Sequence, residues 1–195
     1  ILAAMLPPRD LVQNGFAHLG APHVLFASFV RFLRVYFDFA GYTSIAIGVG
    51  LLFGIRLMEN FNFPLLRPTL AEYWRNWHIS LSSWARDYVY FPVLMKSRVP
   101  SLALVCTMLT IGSWHSIMPG WVLWGLHHGV GLSILAKYQK AVAGRDTVTA
   151  IRMSLPWRVV STLFVWLYVS LGFSLTFSPE TFESSLAPYI RILSM

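Results

Sequence analysis

The chain has 195 residues, of which 56% are hydrophobic and only 12% charged, and its mean hydropathy is +0.59. Soluble domains carry about 25% charged residues, so this balance excludes an ordinary soluble domain and points to an integral membrane protein. The formal charge of +7 does not argue for nucleic-acid binding, because the basic residues cluster in short loops beside apolar runs, as cytoplasmic loops do.

Residues 1–23 read as a loop or interfacial segment punctuated by Pro7, Pro8, Gly15, Gly20 and Pro22, with His18 and His23 outside any polar cluster. No cleavable signal pattern is visible and the chain starts at Ile1, so it reads as a fragment whose earlier spans lie elsewhere. Residues 24–57 are nearly all apolar, broken by Arg31, Arg34 and Asp38. Residues 39–57 are predicted to span, because a crossing needs about 20 apolar residues. Asp38 reads as the cap of that run. Gly41, Gly48, Gly50 and Gly54 would let a neighbouring helix approach closely. Arg56, Glu59 and Asn60 mark the return to the interface, and residues 61–68 form an extended connector.

Thr69 is predicted to cap a helix starting at Leu70, with Glu72 reaching back. Helical spacing over residues 70–90 puts Trp74, His78, Leu81 and Ala85 near one face, and Arg75, Ser82 and Arg86 near another. Such a helix is expensive in lipid, so short, tilted or re-entrant helices are expected, ending at Pro92. After a small basic loop at residues 95–98, apolar runs at 100–118 and 121–136 read as a hairpin turning at Pro119-Gly120. His115 and His128 could approach each other across it. Residues 141–156 read as an exposed polar loop, residues 159–177 as a last span, and the tail with Pro179, Glu180, Glu183 and Pro188 as interfacial.

The stretch 64–94 is the most polar part of the chain, and ionisable groups at membrane depth usually have a job or a partner. It is therefore read as one wall of a site, with His115 as the candidate for the other. No H-x-x-x-H pair exists, no carboxylate lies near His115, and Cys106 is alone, so no metal is expected. Neither a G-x-S-x-G elbow nor a Gly-rich phosphate loop occurs. What remains is general-base chemistry: a neutral histidine can take a proton from a hydroxyl, a step worth roughly 10²–10⁴-fold. His78 could orient His115 or polarise an acyl carbonyl. Residue chemistry alone leaves two rivals open: histidines that tie helices together in a structural subunit, or histidines lining a transport path.

Four collinear stretches carry a resemblance over residues 36–131: YFDFAGYTSIAIGVGLLFGIRLMENFNFP, EYWRNWHISLSSWARDYVYFPVL, GSWHS and WGLHHG. They resemble the membrane-bound O-acyltransferase (MBOAT) family, in its bacterial branch of alginate O-acetylation and teichoic-acid D-alanylation proteins. The resemblance implies an all-α, polytopic helical bundle around a central tunnel. This chain would be its carboxy-terminal part, one membrane domain over residues 1–195 with motifs at 64–94 and 100–136. It implies His115 as catalytic base and His78 as its companion. His128 falls on the histidine of W-G-x-x-H-G, and Arg86 with Asp87 falls on R-D-Y. Trp74, Arg75, Trp77, Ser82 and Trp114 would support the motifs or line the tunnel. No bound cofactor is implied. The co-substrate would be an acyl thioester, on coenzyme A or an acyl carrier protein, arriving from the cytoplasmic side of a bacterial inner membrane. The acceptor would be an extracytoplasmic polysaccharide or a relay protein. Two features depart from the family pattern: the second motif ends His115-Ser116 instead of His-Gly, and the loop after Pro92 is short, unlike the Gly-rich basic stretch of the alginate type.

Overall fold

The computed structural model describes residues 20–177 and 180–194, so His18 and Pro179 lie outside the described residues. Within them the chain is helical, with no strand beyond one isolated bridge. The helices are α1 (Ala21–Leu52), α2 (Leu70–Asn76), α3 (Ile79–Ala85), α4 (Phe91–Ser97), α5 (Pro100–His115), α6 (Pro119–Ala141), α7 (Asp146–Met153), α8 (Leu155–Ser174) and α9 (Phe182–Leu193).

α1 is a single helix of 32 residues, about 48 Å long. Arg31, Arg34 and Asp38 do not break it. Their spacing puts them on one side of the helix, so they form a polar stripe. Asp38 therefore lies inside the helix and caps nothing, and His23 belongs to the first turn. The helix stops at Leu52, short of the predicted 57, where Gly54 takes φ +72. There the Ile55 N–H donates to the Gly50 carbonyl at 2.9 Å and the Gly54 N–H to the Leu51 carbonyl at 3.0 Å, a left-handed glycine stop.

Of the described helices, α1 and α8 are long and apolar enough to cross a membrane. α5 and α6 form the expected antiparallel hairpin, but α5 has only 16 residues, about 24 Å. The turn is residues 116–118, and Pro119 opens α6. Proline suits the first turn of a helix, where its missing N–H would have no partner anyway. Pro92, expected to end the helical stretch, does not: α3 runs through a wide π-helical turn at Arg86–Tyr90 straight into α4, where Pro92 is the second residue and the helix continues to Ser97. The segment read as a polar loop contains α7, and the tail forms α9, opened by a Thr181–Ser184 capping box.

Two interfaces hold these pieces together. α1 packs on α8, and Phe32, Tyr73, Trp77, Trp124 and Phe173 meet in one aromatic core. α5 packs on α6 at close range because both carry glycine where they touch: a Cβ built on Gly125 would stand 2.5 Å from the Met108 carbonyl oxygen. α9 closes the far end, where Ile192 joins Val24 and Phe177.

Candidate active site

The polar stretch is not one helix. α2 starts as expected, with the Thr69 hydroxyl oxygen accepting from the Glu72 N–H at 3.2 Å. The Glu72 carboxylate accepts from the Thr69 hydroxyl at 3.0 Å, in place of the backbone N–H it was expected to reach. The helix then breaks at Trp77 and His78. Trp77 is extended, and His78 takes φ 44 and ψ 57, a left-handed conformation that L-residues seldom adopt. The connector before α2 causes the break. Phe61 bridges Trp77 antiparallel, the Asn62 N–H donates to the Asn76 carbonyl at 3.1 Å, and the Ile79 N–H donates to the Asn60 carbonyl at 3.0 Å. These bonds replace the helical ones. The Asn60 side chain completes the clamp, its Oδ1 accepting from the Ser80 N–H at 3.1 Å and the Ser80 hydroxyl at 2.7 Å.

The clamp turns His78 away from the helix face that periodicity assigned to it. Its ring meets Phe39 edge-on at 4.5 Å between centroids and Trp114 at 5.8 Å. Trp114 in turn meets His115 at 5.0 Å. The two histidines, 37 residues apart, thus both pack against one indole. His78 lies outside the long apolar helices, and burial, then the nearby His115, lowers its pKa to about 4. His115 is the last residue of α5 and is exposed, stacked on Trp121 at 4.8 Å and edge-on to Trp124 at 5.8 Å. Among the described residues no side-chain hydrogen bond joins His78 to His115. Aromatic rings supply the orientation instead.

Trp74, Arg75, Ser82 and Arg86 come together on a cavity of about 370 Å³ between α2–α3 and α5, completed by Thr107 and Met108. Trp74 Nε1 is buried and has no hydrogen-bond partner. The Ser82 hydroxyl donates to the Trp77 carbonyl at 2.9 Å. Arg86 pairs with its neighbour Asp87 through Nε–Oδ1 at 2.8 Å and Nη2–Oδ2 at 3.2 Å, and this hydrogen bonding lowers the Asp87 pKa. Both side chains are about half exposed, which makes the pair a weak stabiliser. Trp77 is not on the cavity but in the aromatic core, stacked on Tyr73 at 5.3 Å.

His128 is fully buried, and neither ring nitrogen has a hydrogen-bond partner. It packs edge-on against Trp74 at 5.2 Å and Trp124 at 4.7 Å. The Trp124 indole therefore stands between His128 and His115, which do not meet directly across the hairpin. His127 faces elsewhere: its Nε2–H donates to the Tyr168 carbonyl at 3.0 Å, and the Tyr189 hydroxyl donates to its Nδ1 at 3.3 Å. Sequence reasoning missed Asn60, Trp121 and Trp124. Only the density of tryptophan after His115 hinted at the last two.

The model of the membrane-bound O-acyltransferase family matches residues 16–178. A protein of Azotobacter vinelandii named "Probable alginate O-acetylase AlgI" is 36% identical over 165 residues, 83% of this chain and 31% of that protein. The "Peptidoglycan O-acetyltransferase" of Helicobacter pylori is 41% identical over 112 residues, covering 55% and 21%. The "Teichoic acid D-alanyltransferase" of Bacillus subtilis is 34% identical over 118 residues, covering 55% and 30%. The chain thus spans about a fifth to a third of the length of these relatives.

Proposed function

The chain belongs to the membrane-bound O-acyltransferase family, and from that premise we propose that it is the catalytic carboxy-terminal part of an envelope O-acyltransferase. A thioester donor, on coenzyme A or an acyl carrier protein, enters from the cytoplasmic side of a bacterial inner membrane. A hydroxyl of an envelope polysaccharide, or of a protein that relays the acyl group, enters from the other. His115 takes the hydroxyl proton, the oxygen attacks the thioester carbonyl carbon, and the C–S bond breaks. The imidazolium then returns the proton to the leaving thiolate. Both reactants held in register react directly, so no acyl-enzyme is needed.

The observation that carries this reading is that His78 and His115, far apart in sequence, both pack against the indole of Trp114. Neutral at physiological pH, His78 suits the role of companion that polarises the carbonyl without adding charge beside the base. The cavity with Arg75, Ser82 and Arg86 is the part of the donor tunnel we assign to this chain; with Arg86 paired to Asp87, it is the Arg75 guanidinium that favours an anionic carrier. The test is acyl transfer from a labelled donor in membranes holding the full-length gene product. His115→Ala is expected to insert normally and lose roughly 10²–10⁴-fold in rate. Full transfer by that variant would remove His115 from the mechanism.

A further inference from the structure

A second cavity, about 530 Å³, lies away from both site histidines, in a groove between α6 and α8. Its walls are Leu70, Ile134, Val160 and Phe164, and its lining is almost wholly apolar. Along α6 it runs from Gly131 to Tyr138, about 10 Å. Ile134, Val160 and Phe164 are more than 60% exposed, so the groove opens to the side of the helix pair, where a bilayer would face it.

One end of this groove is chemically different. Arg152 of α7 lines it there, beside Trp157 and Tyr138. Arg152 is half-buried and, among the described residues, makes no ion pair. It belongs to a segment, residues 137–158, that carries Lys137, Lys140, Arg145, Arg152 and Arg158 against the single acid Asp146. Tryptophan and tyrosine favour the headgroup level of a bilayer. A basic residue at the mouth of an apolar cleft between membrane helices suits an anionic headgroup.

We propose that the α6–α8 groove binds one anionic phospholipid, an acyl chain lying against Ile134, Val160 and Phe164 and the phosphate resting on the Arg152 guanidinium. The Arg152 guanidinium selects the anionic headgroup, and the apolar walls take the chain. Because the groove's inner wall is Tyr168 and not His78 or His115, the inference does not depend on the acyl-transfer reading.

The test reconstitutes the full-length protein in nanodiscs of phosphatidylcholine with phosphatidylglycerol as the minor component. Native mass spectrometry after detergent extraction counts the lipids retained. One phosphatidylglycerol per protein is expected, held in preference to phosphatidylcholine. Arg152→Gln should weaken its retention about fivefold, the effect of one basic residue near an anionic headgroup. Val160→Trp should fill the groove and displace the lipid. Arg145→Gln, outside the lining, should retain it. Equal retention of the two lipids would overturn the proposal, as would retention unaffected by both Arg152→Gln and Val160→Trp. So would an empty groove in the wild type, the result expected if another helix of the full-length protein covers it. The wild-type preference alone decides the matter should a variant fail to fold.

Discussion

The imidazole of His115 stacks on the indole of Trp121, with centroids 4.8 Å apart and planes 25° apart. The two residues sit on opposite sides of the hairpin turn, one ending α5 and the other in the first turn of α6. The orientation of the proposed base is therefore set by the hairpin and not by a hydrogen bond from His78. A ring pair of this kind contributes about 0.5–1.5 kcal/mol. Trp121→Ala should then lower the acyl-transfer rate about two- to thirteenfold with little change in the Michaelis constant for donor, and Trp121→Phe should restore most of it. A loss as large as that of His115→Ala would mean that Trp121 does more than position the ring.

Close contact in the hairpin is the condition for that stacking. A side-chain carbon at Gly125 would meet the Met108 backbone 2.5 Å away, and backbone cannot give way as a flexible side chain can. Gly125→Ala should force α5 and α6 apart and cost about 1–3 kcal/mol, the usual penalty of overpacking. Gly41→Ala and Gly48→Ala meet nothing within 4 Å and should be neutral or slightly stabilising, since alanine favours helix. Thermal unfolding in detergent compares the three, and equal midpoints would show that the hairpin tolerates separation.

What the sequence made legible was local. Thr69 as a cap and the hairpin around Pro119-Gly120 follow from signals within a few residues, whereas Arg75 meets Ser82 and Arg86 on one cavity from the other side of the break at Trp77 and His78. Where the fold differs from these local signals, one cause recurs. Asp38 reads as a cap because it directly precedes an apolar run, yet the helix begins far upstream at Ala21. Nothing near His78 announces a break, because the strand-like segment that imposes it lies at residues 60–62. Pro92 reads as the end of the helical stretch, yet the helix passes through it to Ser97; Pro119 reads as the turn itself, although proline fits the first turn of a helix, as it does in α6. The candidate site was legible as a set of residues but not as a geometry. His78 and His115 meet through Trp114, and His115 and His128 through Trp124, contacts between segments that no periodicity reports.

His78 also gives a pH dependence with a definite sign. An unfolded chain takes up the imidazole proton near 6.5, whereas the folded chain holds that pKa at about 4. Unfolding therefore binds a proton between these values. Stability from this group is intact above 6.5, declines as pH falls through the window, and levels off below 4. His78→Asn should flatten that part of the profile of melting temperature against pH in detergent. An identical slope in wild type and variant would assign the acid sensitivity to other groups.

The clamp that holds His78 should be as consequential as His78 itself. A left-handed residue other than glycine costs about 1–3 kcal/mol and persists only where its surroundings over-determine it. Here the Asn60 side chain takes two hydrogen bonds from Ser80, and its backbone carbonyl takes a third from Ile79. Asn60→Ala deletes the first two and leaves the Ser80 N–H without its acceptor, a loss of about 1–3 kcal/mol if that group stays dry. The variant should melt earlier and transfer acyl groups more slowly, because the chain at 77–79 can then relax towards the helix its sequence favours. Ser80→Ala removes only the hydroxyl half and should lose less of both. Asn60→Asp keeps an acceptor and should recover part of the rate. Unchanged melting and unchanged transfer in Asn60→Ala would show that the Phe61–Trp77 pairing alone sets the break.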